Sequence, residues 1–461
     1  MLNRLATATR QAVGAFKRSY DAAGGSGRWP ASSANPAPIA AALAARGPIG
    51  QRAAYLYANS PYATAYVEAF VTNLVGDGPS VRSGHPDEAA RKTLEAAFLR
   101  FYGQCDAEGV SDLTGFLGRV VRSWGVYGEA FVYLGADPAT IGLRLRLLSP
   151  EQVNPALTRD LGNGHRIFSG IELDASDRRV AYHVLADRPD MPFSYLSDAI
   201  RIPAEDICHV FEPSFPGQVR GVSRLAPIAT RCLEVDKLED ALLARFNTAA
   251  LFGGFITDLP DDPAFPEMTG AAGDLSLEPG VMRRLPTGAG IVFPNVPDAN
   301  GAADFLRHMV RSIATGGGVP YELVSGDLSQ VNYSSARLGL EQFKRRVRAL
   351  QRSLLTARLL EPVWKRMVTL EALAGRIDFA AFEADPEAFY AVSAMWPEWA
   401  SLDPVKDTTA DIEAMNANLR SRFEIIAARG RDPQEVDAEI RRDTLRPAAP
   451  AQPVTEVVNA A

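Results

Sequence analysis

Cysteine is scarce in this chain. Cys105, Cys208 and Cys232 stand apart with no CxxC spacing. That excludes a disulfide framework and a cysteine zinc site, and implies a reducing compartment. The five histidines, His85, His165, His183, His209 and His308, are scattered without the paired or helical spacing that a metal centre needs. His209 lies in a strand-like apolar run and reads as a satisfied core histidine. No run of 18 apolar residues occurs, and the N-terminal stretch around Arg4, Arg10, Lys17 and Arg18 holds no unbroken apolar segment. The expectation is a soluble protein made in the cytoplasm, with no membrane partner. A basic excess is missing as well: 48 Lys and Arg stand against 55 Asp and Glu, a net charge of −7. This argues against a surface dedicated to gripping duplex DNA. It leaves room for one that passes nucleic acid without holding it, because like charges repel phosphates. P-loop, G-x-S-x-G and H-E-x-x-H motifs are all missing. The expected catalytic, cofactor and metal sets are therefore empty, and the chain is not read as an enzyme.

What is present is apolar content of 47% over 461 residues, enough for two to four folding units. Residues 1–49 are rich in Ala, Gly, Ser and Pro and read as a flexible arm, with one short helix near 3–22. Helical periodicity covers 51–75, interrupted at Pro61, then 87–102 and 112–127, the last capped by Ser111 or Asp112. Strand patterns follow at 130–134 and 143–148. A hairpin of 166–173 and 179–185 turns around residues 174–177, and a short strand covers 206–211. Residues 50–223 are thus a mixed unit of helices followed by a mostly antiparallel sheet, and the fold class is α+β.

Beyond a turn-rich segment at 213–223, Leu225, Ile228, Cys232, Val235, Leu238, Leu242 and Phe246 recur every three or four residues. They mark an amphipathic helix of about seven turns. An acidic, proline-broken stretch with Asp258, Asp261, Asp262 and Glu267 follows, then a small hairpin over 281–293 and a helix over 302–314. By default the acidic cluster is a solvated loop; the sharper reading is a docking face for a basic partner.

The chain is arranged around residues 315–346. Gly316, Gly317, Gly318, Val319 and Pro320 read as too flexible for regular structure. Ser329, Gln330, Val331, Asn332 and Tyr333 are polar, and Ser334 and Ser335 offer N-caps to a long helix. The expectation is a mobile loop between two helices. Because Pro-Tyr-Glu-Leu follows the glycines in place of a Lys-Ser/Thr helix start, the run is not a phosphate cradle. The helix from Ser335 carries Leu340, Phe343, Val347, Leu350 and Leu354 on one face. Lys344, Arg345, Arg346, Arg348 and Arg352 lie on the others, by default a solvated basic face. Pro362 implies a kink near 359–362. Residues 407–429 and 433–442 read as a helical pair, and 447–461 as a disordered tail.

Several pieces, in order, resemble the lambda-like family of tailed-phage portal proteins over nearly the whole chain. They are Ser19-Tyr20-Asp21-Ala22-Ala23 with Arg28-Trp29, Asn59-Ser60-Pro61-Tyr62-Ala63 with Val75-Gly76, and Gly217-Gln218-Val219-Arg220-Gly221-Val222-Ser223. Gly318-Val319-Pro320-Tyr321-Glu322, Asn332-Tyr333-Ser334-Ser335-Ala336-Arg337 and Asp403-Pro404-Val405-Lys406-Asp407 complete the set. No one piece is decisive; their order and spacing are.

The resemblance implies a homo-oligomeric ring, usually of 12 subunits, at one capsid vertex of the virion, through which double-stranded DNA enters and leaves. It implies a wing at 50–223, a stem helix at 224–252, a clip at 253–299 and a second stem helix at 300–315. A tunnel loop at 316–334, a kinked helix with wing return at 335–402 and a crown at 403–446 follow. The clip would dock the terminase large subunit and later the head–tail connector proteins, with the major capsid protein and scaffold as further partners. Two rivals stand beside this reading. A hydrolase built on carboxylates near the glycines would need a convergent catalytic set. Another oligomeric virion part would not carry helix, acidic insert, helix, loop and kinked helix in that order.

Overall fold

The computed structural model describes residues 38–189, 191, 198–251, 299–329, 333–397, 399, 404–431 and 433–444. The expected helix at 3–22, the acidic cluster, the hairpin at 281–293 and the tail lie outside these residues.

Two helices open the described chain, α1 (Pro38–Asn59) and α2 (Pro61–Val75). Ser60 separates them in an extended conformation, and Pro61 opens α2 where its missing N–H costs nothing. The arm expected up to residue 49 is thus already helical from Pro38, and it carries Pro48 inside the helix. Its alanines favour helix strongly enough to accommodate that proline. Strand β1 (Ser80–Ser83) precedes α3 (Glu88–Gln104) and α4 (Leu113–Tyr127). Asp87 and Asp112 cap these two helices by accepting from Ala90 N and Gly115 N.

The sheet region follows: β2 (Glu129–Ala136), β3 (Leu143–Leu148), β4 (Arg159–Gly162), β5 (His165–Phe168), β6 (Ile171–Leu173), β7 (Arg179–Leu185), β8 (Ala199–Pro203) and β9 (Ile207–Phe211). They form a three-stranded sheet in the order β3-β2-β9 and a five-stranded meander β4-β5-β6-β7-β8, all pairs antiparallel. The single strand expected over 166–173 is two. Ser169 and Gly170 both adopt positive φ and reverse the chain between β5 and β6.

Helices α5 (Ala229–Leu251) and α6 (Ala299–Gly317) come next, then α7 (Tyr321–Ser325) and α8 (Tyr333–Leu350). Helix α8 begins two residues before the expected Ser335. It runs on through ten residues of wider i→i+5 winding, Gln351–Leu360, into α9 (Glu361–Leu373). Pro362 sits in the first turn of α9, so the irregularity lies before the proline and is spread over three turns. Short helices α10 (Phe379–Ala384) and α11 (Pro386–Tyr390) lead to β10 (Val392–Met395), which pairs with β1 across the chain. The helix expected over 407–429 is broken into α12 (Pro404–Asn416) and α13 (Arg422–Ala428), with Asn418 at positive φ between them; α14 (Pro433–Thr444) follows.

The main core joins α2, α3, α4, one face of β2, the start of α5, the end of α6 and the long helix from α8 to α9. Phe70 is its pivot, meeting Tyr66, Trp124 and Phe343 edge-on at 5.4 to 5.6 Å. A smaller core lies between the two larger sheets around Phe131, Val153, Ile171 and Tyr182.

Candidate functional site: a clamped glycine turn

The glycines expected to be pliant are held. Gly316 and Gly317 are the last two residues of α6, and Gly318 ends the helix at φ +71°. Gly318 N donates to Thr315 O at 3.1 Å and Val319 N to Ala314 O at 3.1 Å, the reciprocal pair of a glycine-terminated helix. Absent side chains matter here for another reason. A Cβ on Gly316 would lie 2.8 Å from Ile228 Cγ2, one on Gly317 would enter the Tyr66 ring, and one on Gly318 would strike the Arg346 guanidinium. Composition alone read as freedom; in the fold it is close approach.

Two side chains complete the clamp. The Tyr66 hydroxyl donates to Gly317 O at 3.2 Å. Arg346 Nη1 reaches the carbonyls of Gly317 and Gly318, both at a long 3.4 Å, and so places a cation at the negative end of α6. Burial, and Arg224 beside it, pull the Arg346 pKa down. Its guanidinium lies over the Phe70 ring, 5.7 Å from the centroid, and so ties the turn to the core's central aromatic.

Past Val319, which is buried, the segment stays ordered. Pro320 leads into α7, Gly326 ends it at φ +68°, and Arg311 of α6 lies over the Tyr321 ring at 5.2 Å. Asp327 then accepts from Ser329 N at 2.9 Å, Ser329 Oγ at 2.6 Å and Tyr321 Oη at 3.2 Å. The Ser329 hydrogen bonds hold its carboxyl below the usual range. Neither Tyr66 nor Asp327 was singled out from sequence. Gln330, Val331 and Asn332 lie outside the described residues, and Tyr333 starts α8.

The five basic residues of the long helix do not share one face. Arg346 turns inward to the clamp. Lys344 and Arg348 lie over the Trp399 ring at 5.8 and 5.4 Å, and Lys344 pairs with Glu341. Trp399 is itself fixed by its indole N–H on Asn73 Oδ1 at 2.9 Å. Arg345 and Arg352 are exposed.

A second polar centre anchors the sheets to the helices, and sequence reasoning missed it. Glu129, fully buried at the start of β2, accepts from Arg46 Nε (3.0 Å), Arg220 Nη2 (2.8 Å), Gly221 N (2.7 Å) and His209 Nε2 (3.1 Å). Arg220, equally buried, also donates to Pro150 O at 2.8 Å and Val153 O at 3.1 Å. Burial alone would raise the Glu129 pKa, but the two guanidiniums and His209 hold it well below the ordinary range. His209 stacks between Phe131 and Phe211 at 4.2 Å from each, and burial lowers its pKa to about 4. It is a core histidine, as the sequence implied, but only half satisfied: among the described residues its buried Nδ1 has no partner. The turn-rich segment at 213–223 is therefore bolted down at Arg220, and Arg46, assigned to the arm, is one of the bolts.

Among the described residues, no group of three or more His, Cys, Asp or Glu could hold a metal ion. No helix there is long and apolar enough to cross a membrane. The three cysteines are free and buried, and burial pushes each thiol up to about 12.

Both polar centres serve to hold segments of the fold to one another. The chain belongs to the lambda family of phage portal proteins: the model of that family matches residues 25–351. It is 26% identical over 418 residues to a probable portal protein of Halomonas phage phiHAP-1, covering 86% of this chain and 80% of that one. It is 25% identical over 449 residues to portal protein B of Escherichia phage lambda, covering 86% and 83%. Portal proteins are structural parts of the virion. Among solved structures it is similar to a chain in the neck of an empty GTA particle, with TM-score 0.42 and 14% identity over 87% of this chain and 95% of that one.

Proposed function

We propose that copies of this chain close into a ring, twelve in number, whose central hole is the passage for viral DNA during packaging and ejection. The observation that carries the reading is the unequal coverage of α5 and α6. At their base Ile228, Cys232, Val235, Ile313 and Ala314 are buried in the chain's own core. Leu233 on the other side of that base, and Leu243, Phe246 and Phe305 further along, are 40 to 60% exposed. Paired helices with apolar residues on their outer sides are half-finished, and an equivalent surface of a neighbouring subunit would finish them. A net charge of −7 per chain, multiplied round a ring, suits a conduit in which a polyanion must slide.

In this reading 50–223 is the wing, α5 and α6 the stem, and 253–299 the clip that docks the terminase large subunit and then the connector proteins. Asp258, Asp261, Asp262 and Glu267 would supply the clip's charge. Residues 403–446 are the crown, facing the capsid interior. The segment that meets DNA is narrower than 316–334, because Ile228, Tyr66 and Arg346 press on Gly316, Gly317 and Gly318. The stretch from Gly326 to Ser329, braced on Asp327, together with Gln330, Val331 and Asn332 after it in sequence, is the part left to touch a passing duplex, and its contacts carry no base specificity. Negative-stain imaging of the purified protein tests the proposal. Rings with a central hole are expected; a population of monomers at micromolar concentration would overturn it.

A further inference from the structure

A cavity of about 300 Å³ lies where β7, β9 and the i→i+5 segment of the long helix meet. Arg179, Tyr182, His209, Phe211, Arg358 and Pro362 are among its lining residues. The Arg179 and Arg358 guanidiniums each lie 5.1 Å from the centroid of the same ring, Phe211. Nearly every other buried or half-buried arginine of this fold has a clear partner: Arg46 and Arg220 on Glu129, Arg119 on Asp106, Arg366 on Asp206. These two have no carboxylate within ion-pair distance among the described residues. Arg179 spends one Nη on the Val219 carbonyl at 3.2 Å, and its buried Nε–H has no acceptor. Arg358 is partly buried, and among the described residues it meets only the ring face of Phe211.

The surrounding titratable groups do not settle the charge. Glu205 lines the cavity yet is exposed and pairs with neither guanidinium, while Asp206 is taken by Arg366. His209 is held neutral with its Nε2–H on Glu129, and Tyr182 and Cys208 are uncharged near neutral pH. Burial, and then the nearby Arg179, pull the Arg358 pKa down. Two like charges at the edge of a low-dielectric cavity are costly unless an anion sits between them.

We propose that this cavity binds a phosphate-sized oxyanion, clasped between the Arg179 and Arg358 guanidiniums. A tetrahedral oxyanion fits the donors better than a carboxylate would. Arg358 offers five free N–H groups in a planar fork, and Arg179 adds its Nε–H from another direction, more than two oxygens can satisfy. The bound ion would tie the irregular segment Gln351–Leu360 to β7 and β9, adding to the contact of Arg358 with Phe211. Its source is either free phosphate or a DNA backbone phosphate.

Thermal melting of the full-length protein in sodium phosphate and in sodium chloride, at equal ionic strength, tests this. Phosphate should raise Tm saturably by about 2–4 °C. Arg358→Met, which keeps the packing on Phe211, should abolish that rise. Arg358→Lys, which keeps the charge and loses the fork, should weaken apparent affinity about tenfold. Arg179→Met serves as the second variant if Arg358→Met does not fold. A short duplex that also raises Tm through Arg358 and competes with phosphate supports the same site with DNA as the source; a duplex without effect supports the free ion. Equal Tm in phosphate and chloride, or a full phosphate response in both methionine variants, would overturn the proposal.

Discussion

Helices α2 and α5 differ in composition and in fate: α2 carries one charged residue in 15 and α5 carries seven in 23. In α2, Tyr66, Val67, Phe70, Leu74 and Val75 are all buried within one chain, against α4 and α8. In α5, burial stops after Val235, and Leu243 and Phe246 stay open. The near-absence of charge in α2 marks it as buried on most sides, whereas the charged faces of α5 do not tell what covers Leu243 and Phe246. The difference teaches which surfaces the chain's own core covers and which it leaves open. Helix α2 and the long helix are covered within the chain; on the proposed reading the helix pair is covered by a neighbouring copy.

The largest effect that would sharpen this contrast belongs to the side covered within the chain. Arg220→Met removes the main partner of a buried carboxylate and should destabilise the chain by about 3–5 kcal/mol in chemical denaturation. A loss under about 1 kcal/mol would mean that Arg46 and His209 suffice. Next comes pH. With a folded pKa near 4 against the ordinary 6.5, His209 is neutral in the native state and charges more readily when unfolded. Its contribution is complete above pH 6.5 and fades as pH falls toward 4, by on the order of 3 kcal/mol. Glu129, depressed in the fold, acts in the same direction below about pH 4.5. His209→Gln should flatten the stability curve between pH 6.5 and 4; an unchanged curve would place the titration elsewhere.

A smaller effect is expected at the boundary between the two regions. Gly317→Ala drives a methyl into Tyr66 and should cost about 1–3 kcal/mol, while Tyr66→Phe, losing one hydrogen bond, should cost about 1 kcal/mol. If Gly317→Ala is neutral in thermal melting, the turn is as loose as its composition implies. The smallest effect on stability is expected from Asp327→Asn with Ser329→Ala. These should leave melting and assembly unchanged and lower the amount of DNA packaged or retained per particle.

Much of the fold was legible because its signals are local. Asp87 and Asp112 cap helices three residues upstream of the donors they satisfy, and 143–148 reads as a strand by alternation. What escaped depends on distance along the chain. Arg220 and Glu129 are 91 residues apart, and β1 finds β10 more than 300 residues later. Neither pairing leaves a periodic trace. The glycine run misled for a related reason: three glycines are required equally by a flexible loop and by a turn against which Ile228, Tyr66 and Arg346 press. Only the third dimension separates those causes.

Native mass spectrometry of the purified chain, alongside Leu243→Lys with Phe246→Lys, tests the central claim most directly. The wild type should appear at twelve times the 49.7 kDa chain, and the double variant as folded monomers that melt like the dissociated wild type. A monomeric wild type, or a double variant that still assembles fully, would contradict the claim that α5 and α6 are completed by a neighbouring copy.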